Sequence, residues 1–423
     1  MKQDNRQPRH RNNGPARREE GPEREQHPSG GGEKRLTFDF RCPVQARCGG
    51  CQLSGMAYRE QLRLKQKRVT ELLGRFGPVE PILGMERPYH YRNKVHAVLG
   101  TDRSGLPVSG VYAYGTHRLV PVKSCLLEDR RADAIIRDIV AMLPKYKLRI
   151  YNEYTHRGFL RHILVRTGHV SGQLMVVLVT TSREFPGGKA FTEELLSLHP
   201  EITTLVMNIN QRETSMVLGK TDVVLYGEGW MEDSLCGRVF RISPQSFYQV
   251  NAQQAEVLYR TAIDLARLTG TETLLDAYCG TGTIGLCASD RIARLIGVEL
   301  NADAVKDAKE NARRNGVENA SFFCEDAGRF MTRMAAEGGH ADVVLMDPPR
   351  AGSDEAFLTS LLTLAPRRVV YVSCNPETQA RDLELLVRGG YRMERIVPVD
   401  MFPGTLHTET VAALTLETEK RRG

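Results

Sequence analysis

Residues 273–289, TLLDAYCGTGTIGLCAS, constrain the fold of this chain more than any other stretch. An apolar run of strand length meets Gly280, Gly282 and Gly285 in G-x-G-x-x-G order and then passes into a helical run. Glycines in that order let a backbone turn tightly and approach a ligand, and an acid at the end of the next strand can hold ribose hydroxyls. Glu299, closing RLIGVEL, stands at that place. From about residue 241 onward strand-like and helix-like runs alternate, through AVKDAKENARRNG and ADVVLMDPP to RRVVYVSCN. Such alternation predicts a parallel sheet flanked by helices. The expected fold is therefore α/β, with a Rossmann-like domain over residues 241–423.

The preceding chain reads differently. Residues 1–36 are rich in Arg, Glu, Gly and Pro with almost nothing apolar, and are expected to be a disordered, mildly basic tail. Residues 37–240 open with a cysteine-rich segment, RCPVQARCGGCQLSG. A helical pattern follows over residues 56–74, closed by Gly74 or Gly77 and expected to pack on the C-terminal domain. Short strands with turns from about 90 to 240 suggest an α+β central domain. The longest apolar runs, such as LMVVLV, are strand-sized and predict no membrane span. The N-terminus has no apolar signal core, so a cytoplasmic protein is expected. Nine cysteines in that compartment point to metal binding or catalysis before disulfides. A net charge of +7 fits a polyanionic partner without requiring one. Within 152–168 Arg157, Arg161, His162 and Arg166 interleave with Tyr154 and Phe159, a pattern suited to phosphates and splayed bases or to a plain basic strand face.

The glycine loop alone does not name its ligand, because NAD enzymes share it. DVVLMDPPRAG, where Asp347-Pro348-Pro349 closes a later strand, points toward S-adenosylmethionine and methyl transfer. Enzymes that methylate base amino groups also carry a Pro-Pro turn but usually follow it with an aromatic residue; here Arg350 follows. Cys374, presented at the end of a strand in VVYVSCNPETQA, suggests a nucleophile. A pyrimidine C5 is a poor nucleophile until a thiolate adds at C6 and makes C5 enolate-like, which is covalent catalysis. Loss of the C5 proton then needs a general base. DMFPGTLHTETVAAL supplies Glu409, with His407 as the alternative.

These residues resemble the RNA (uracil-5-)-methyltransferase family, in SCNP at 373–376, DPPR at 347–350, DMFP…HTE at 400–409 and SPQSFYQVN at 243–251. The resemblance runs from about residue 40 to the end. It implies an enzyme that makes 5-methyluridine in RNA, 23S ribosomal RNA ahead of transfer RNA. It implies Cys374 as nucleophile and Glu409 as base. It also implies contacts to S-adenosylmethionine or the target base by Gln249, Tyr278, Thr283, Glu299, Asp326 and Asp347. Tyr278 falls where the family has an aromatic residue, whereas Thr283 replaces an Asn of some members. Many members begin with a small β-barrel RNA-binding domain that the segment before Cys42 cannot encode, so RNA recognition is expected to fall to the central domain. A monomer is expected.

Cys42, Cys48 and Cys51 have C-x5-C-x2-C spacing, with Cys125 as a candidate fourth ligand. Four thiolates suit zinc or an iron–sulfur cluster, and three clustered cysteines plus one remote are more like cluster ligation. The family includes members with a [4Fe–4S] cluster at this spacing, followed by GGCQL and YRNK, both present here. Cys236, Cys279, Cys287 and Cys324 read as packing residues. Two rival functions remain at this stage, an amino-group nucleic-acid methyltransferase and a non-catalytic iron–sulfur RNA-binding protein.

Overall fold

The computed structural model describes residues 41–213 and 216–417, which fall in one compact unit. The tail expected over 1–36 lies outside them. The described chain is built on two seven-stranded sheets and a hairpin.

The central sheet comprises β1 (Lys94–Thr101), β2 (Pro107–Tyr112), β3 (Leu119–Pro121), β4 (Leu160–Thr167), β5 (Leu174–Thr180), β6 (Thr204–Ile209) and β7 (Thr221–Tyr226), in the order β3-β2-β1-β4-β5-β6-β7. All its pairings are antiparallel except β5 with β6. β4 and β5 are buried at every residue. One face of the sheet carries Val95, Ile163, Val165 and Val176, which pack with Ile135, Ile139, Phe191 and Leu195. The helices that supply these partners follow below. β8 (Met231–Leu235) and β9 (Arg238–Ile242) form the hairpin that leads into the second half.

The C-terminal sheet comprises β10 (Thr273–Ala277), β11 (Arg294–Glu299), β12 (Ala320–Cys324), β13 (Val343–Met346), β14 (Arg368–Ser373), β15 (Tyr391–Val399) and β16 (Glu409–Leu416), ordered β12-β11-β10-β13-β14-β16-β15. The first five are parallel, as alternation predicts; β16 enters antiparallel between β14 and β15. Adjacent side chains on a strand point to opposite faces. Leu274, Leu295 and Val370 accordingly face one layer of core, and Leu275, Ile296 and Tyr371 the other. The first layer is continuous with Leu164, Met175 and Val177 of the central sheet, so the two halves share one core.

The helices are α1 (Gln45–Cys48), α2 (Tyr58–Leu73), α3 (Arg130–Met142), α4 (Gly188–Leu198), α5 (Ala252–Ala266), α6 (Thr283–Ala288), α7 (Ala302–Arg314), α8 (Ala327–Ala336), α9 (Glu355–Leu364) and α10 (Pro376–Arg388). Their starts follow sequence chemistry: Asn251, Asn301, Asp326, Asp354 and Asn375 each cap a helix by accepting a backbone N–H. α2 ends at Gly74 and buries Val69 and Leu73 in the second core layer. The chain after it then bridges to the outer edge of the sheet, Val79 to Ile396 and Leu83 to Val399. Among the described residues no helix is long and apolar enough to cross a membrane.

Candidate active site

The glycine loop joins β10 to α6, and its close approaches explain its composition. A Cβ on Gly285 would lie 2.8 Å from both Asp276 Oδ2 and Leu295 Cδ1, so only glycine lets α6 pack this tightly on the sheet. The Gly285 N–H donates to Asp276 Oδ2 at 2.9 Å. Asp276 itself is buried, and burial, reinforced by Asp347 and Glu299, raises its carboxyl to about 7 against the opposing Gly285 bond. Glu299, at the end of β11, accepts from Gly280 N at 3.1 Å and Asn301 N at 2.8 Å. One carboxylate thus ties the first turn of the loop to the neighbouring strand end.

The other expected cofactor residues surround this edge. Tyr278 stands in the loop at φ 64°, its ring 4.9 Å from Phe357 and its hydroxyl 3.5 Å from Ser353 Oγ. Thr283 starts α6 with Oγ1 3.2 Å from Tyr259 Oη. Asp326 is exposed and caps α8 by accepting from Arg329 N. Gln249 is anchored through its backbone carbonyl, which accepts from Asn93 Nδ2 at 2.9 Å. Asp347 follows β13 directly; it keeps some exposure, yet burial pushes its carboxyl up to about 7.

Strand register brings Cys374 and Glu409 together. β14 and β16 pair Val372 with Val411 and Ser373 with Thr410, so one further step sets Cys374 opposite Glu409. Cys374 is half-buried between the end of β14 and the start of α10, where Asn375 caps the helix and Pro376 opens it. Burial first, then the carboxylates of Glu409 and Asp347, push its thiol up to about 11, with Arg350 opposing. Glu409 is only 5% exposed; burial and Asp347 raise its carboxyl to about 8, again against Arg350. Arg350 is fixed in turn: its carbonyl accepts from Asn375 Nδ2 and Thr378 Oγ1, and its Nη2 lies 3.1 Å from His407 Nε2. Burial and the cations Arg350, Lys65 and Arg68 lower His407. A cleft of about 600 Å³ opens over Cys374, with Arg68, Arg350 and His407 in its walls.

A family model described as tRNA (Uracil-5-)-methyltransferase matches residues 231–417. A protein of Halalkalibacterium halodurans, described as an uncharacterized RNA methyltransferase, is 44% identical over 381 residues, covering 89% of this chain and 83% of the relative. A Bacillus cereus protein (strain ATCC 14579) of the same description is 42% identical over 383 residues, again 89% and 83%. The chain belongs to the RNA (uracil-5-)-methyltransferase family. It is an RNA methyltransferase. A solved structure of a Pyrococcus abyssi tRNA (uracil-54, C5)-methyltransferase with S-adenosyl-L-homocysteine superimposes with a TM-score of 0.72 at 27% identity, covering 87% of this chain and 86% of that one. The expected α/β, Rossmann-like architecture is the one observed.

Other expected residues fare unequally. The four cysteines converge: Cys51 and Cys125 pack against Tyr58, Met85, Tyr91 and Leu127. Burial first, then Cys48 and Cys42, push the Cys51 thiol up to about 11; Cys125 rises to about 12 through burial, Glu128 and Cys51. The donors are thus soft, half-buried and mutually close. Among the described residues, however, no three His, Cys, Asp or Glu side chains close into a metal-holding set.

The basic strip fails in part as a phosphate-binding face. Arg161 and Arg166 lie on the fully buried β4, where Arg161 donates to the carbonyls of Asn210 and Arg212 and Arg166 to those of Pro244 and Ser246. Their charge holds loops in place. Sequence reasoning missed Asp276, whose partner Gly285 lies nine residues on, and the Lys65–Asp400 pair, whose members are 335 residues apart.

Proposed function

We propose that this enzyme methylates uridine C5 in RNA with S-adenosylmethionine as methyl donor, through a covalent Cys374–uracil C6 adduct. The observation that carries the reading is the register of β14 and β16, which sets a thiol that lines an open cleft opposite one buried carboxyl. An amino-group methyltransferase needs neither.

S-adenosylmethionine, once bound, supplies an electrophilic methyl group. Gly280, Glu299 and Tyr278 are placed to hold it at the carboxyl edge of the sheet, where such folds bind ligands. The Cys374 thiolate adds to C6, and the C5=C6 electrons move toward C5 and O4. C5 then takes the methyl group as the S–CH3 bond of the sulfonium breaks, its electron pair staying on sulfur in the departing S-adenosyl-L-homocysteine. Glu409 removes the C5 proton, the C5=C6 bond re-forms, and Sγ leaves with its electron pair. Raised to about 8 by burial, the Glu409 carboxyl must be ionised before it can take that proton. Arg350, beside both groups, favours the thiolate and the carboxylate.

The proposed RNA is ribosomal, 23S first. Transfer RNA is the second reading, favoured by the family description and the Pyrococcus abyssi structure. The proposed resident group is a [4Fe–4S] cluster on Cys42, Cys48, Cys51 and Cys125, structural because methyl transfer moves no electrons. A cytoplasmic monomer, with RNA recognised by residues 37–240 and chemistry in 241–423, completes the reading. Mapping 5-methyluridine in RNA from a strain lacking the gene tests it. A lost site in 23S RNA is expected, a lost site only in transfer RNA selects the second reading, and no lost 5-methyluridine refutes both.

A further inference from the structure

The cleft over Cys374 has a second wall that the chemistry does not use. Gly49 and Gln52 of the cysteine segment and Tyr114, from the turn joining β2 to β3, line the cleft together with Cys374 and Arg350. Tyr114 is 85% exposed, so its ring face is open at the cleft mouth. Its root, by contrast, is held. The Tyr114 N–H donates to the Cys48 carbonyl at 3.3 Å, and the turn is closed by Ala113 N to Arg118 O and Thr116 N to Ala113 O, each 2.9 Å. Gly49 sits at φ +69°, and a Cβ there would lie 3.0 Å from Tyr114 Cβ. The ring therefore projects from a backbone seated directly on the cysteine loop.

That loop is tied to the catalytic half. Gln52 Nε2 donates to the Gly49 carbonyl at 3.2 Å, while its Oε1 accepts from Leu406 N at 3.4 Å, three residues before Glu409. Leu53 N also donates to the Gly404 carbonyl at 3.0 Å. The ring and the catalytic thiol thus line one cleft, joined through a few hydrogen bonds. Arg350 and Arg68 bring cationic side chains to the same cleft, Arg68 paired with Glu377 at 2.8 Å. A fixed, exposed aromatic ring beside cations is the arrangement on which single-stranded nucleic acid stacks its bases.

We propose that Tyr114 is the stacking platform for an unpaired RNA base at the mouth of the cleft, and that the cysteine segment sets its position. The inference rests on the RNA-methylating reading above and adds to it a residue that selects and holds substrate. It also gives the cysteine segment a task that needs no electron transfer.

The test uses the full-length protein and compares Tyr114→Ala with Tyr114→Phe. Loss of one stacked base weakens binding roughly 5- to 150-fold. Tyr114→Ala should raise RNA Kd and KM by that factor while S-adenosylmethionine affinity, measured calorimetrically, stays as in the wild type. Tyr114→Phe, which keeps the ring, should restore RNA binding. Unchanged RNA affinity in Tyr114→Ala would overturn the proposal, and so would a Phe variant as weak as the Ala variant. Direct RNA binding by filter retention separates this from the parent reading: a wild type that binds RNA but forms no 5-methyluridine would sink that reading while the Tyr114 comparison still decides stacking.

Discussion

Lys65, in the middle of α2, places Nζ 2.5 Å from Asp400 Oδ1, and both side chains are buried. Asp400 opens the loop that leads to Glu409. Its other oxygen accepts from Tyr58 Oη at 2.8 Å, and Lys65 also donates to the Phe402 carbonyl at 3.1 Å. Gln61 Oε1 accepts from Gly404 N, Tyr91 Oη donates to the Pro403 carbonyl, and Asn251 Nδ2 to that of Met401. A helix from the N-terminal half thus holds the backbone that carries the proposed base.

Removing one partner of a buried pair leaves the other charge uncompensated, at a cost of about 3–5 kcal/mol. Lys65→Met should destabilise the protein by that amount in urea unfolding. Lys65→Met combined with Asp400→Leu should recover much of it, because the orphaned charge is gone. A single variant as stable as the wild type would mean that the pair does not hold this loop.

Glu299→Ala removes an acceptor of two backbone N–H groups and the proposed ribose contact. A lost hydrogen bond to a charged group costs about 1.5–3 kcal/mol, so S-adenosylmethionine affinity should fall by that amount in calorimetry. Unchanged affinity would place the methyl donor away from β11.

Glu409 and Asp347 both have carboxyls raised above their ordinary values, to about 8 and about 7. The folded state therefore favours their protonated forms. Their contribution to stability is fully present below the ordinary carboxylate range and is lost as pH rises through 7 to 8. Glu409→Gln should flatten the decline of unfolding free energy across that range. It should also speed alkylation of Cys374 above that range, since one of the anions that raises the thiol is gone. Equal pH slopes in the two proteins would show that Glu409 is not buried as described.

Protein purified without oxygen should be brown and contain iron and sulfide, and Cys51→Ala should lose both. Colourless protein with stoichiometric zinc would replace the cluster with a zinc site and leave the methyl-transfer chemistry untouched.

The C-terminal half was legible where chemistry forces local sequence. The glycine loop needs glycine because Gly285 packs against Asp276 and Leu295, and the proline of SCNP opens α10. The residues Cys374 and Glu409 could be named from their flanks, but their opposition depends on β16 pairing antiparallel with β14, which no local pattern specifies. β4 misled for a related reason. LRHILVRT alternates as if one face were wet, yet both faces are covered and its arginines donate to loop carbonyls instead. Lys65 looked like one more surface lysine among YREQLRLKQKR, since Asp400 lies 335 residues away.

The central claim is covalent addition of Cys374 to uracil C6, and RNA carrying 5-fluorouridine at the target tests it most directly. Fluorine sits where the departing C5 proton would be, so a base such as Glu409 cannot release the methylated adduct. With S-adenosylmethionine present, the wild type should form a protein–RNA species that survives denaturing electrophoresis, and Cys374→Ala should form neither adduct nor product while still binding the methyl donor. A Cys374→Ala enzyme that methylated ordinary RNA would contradict the account.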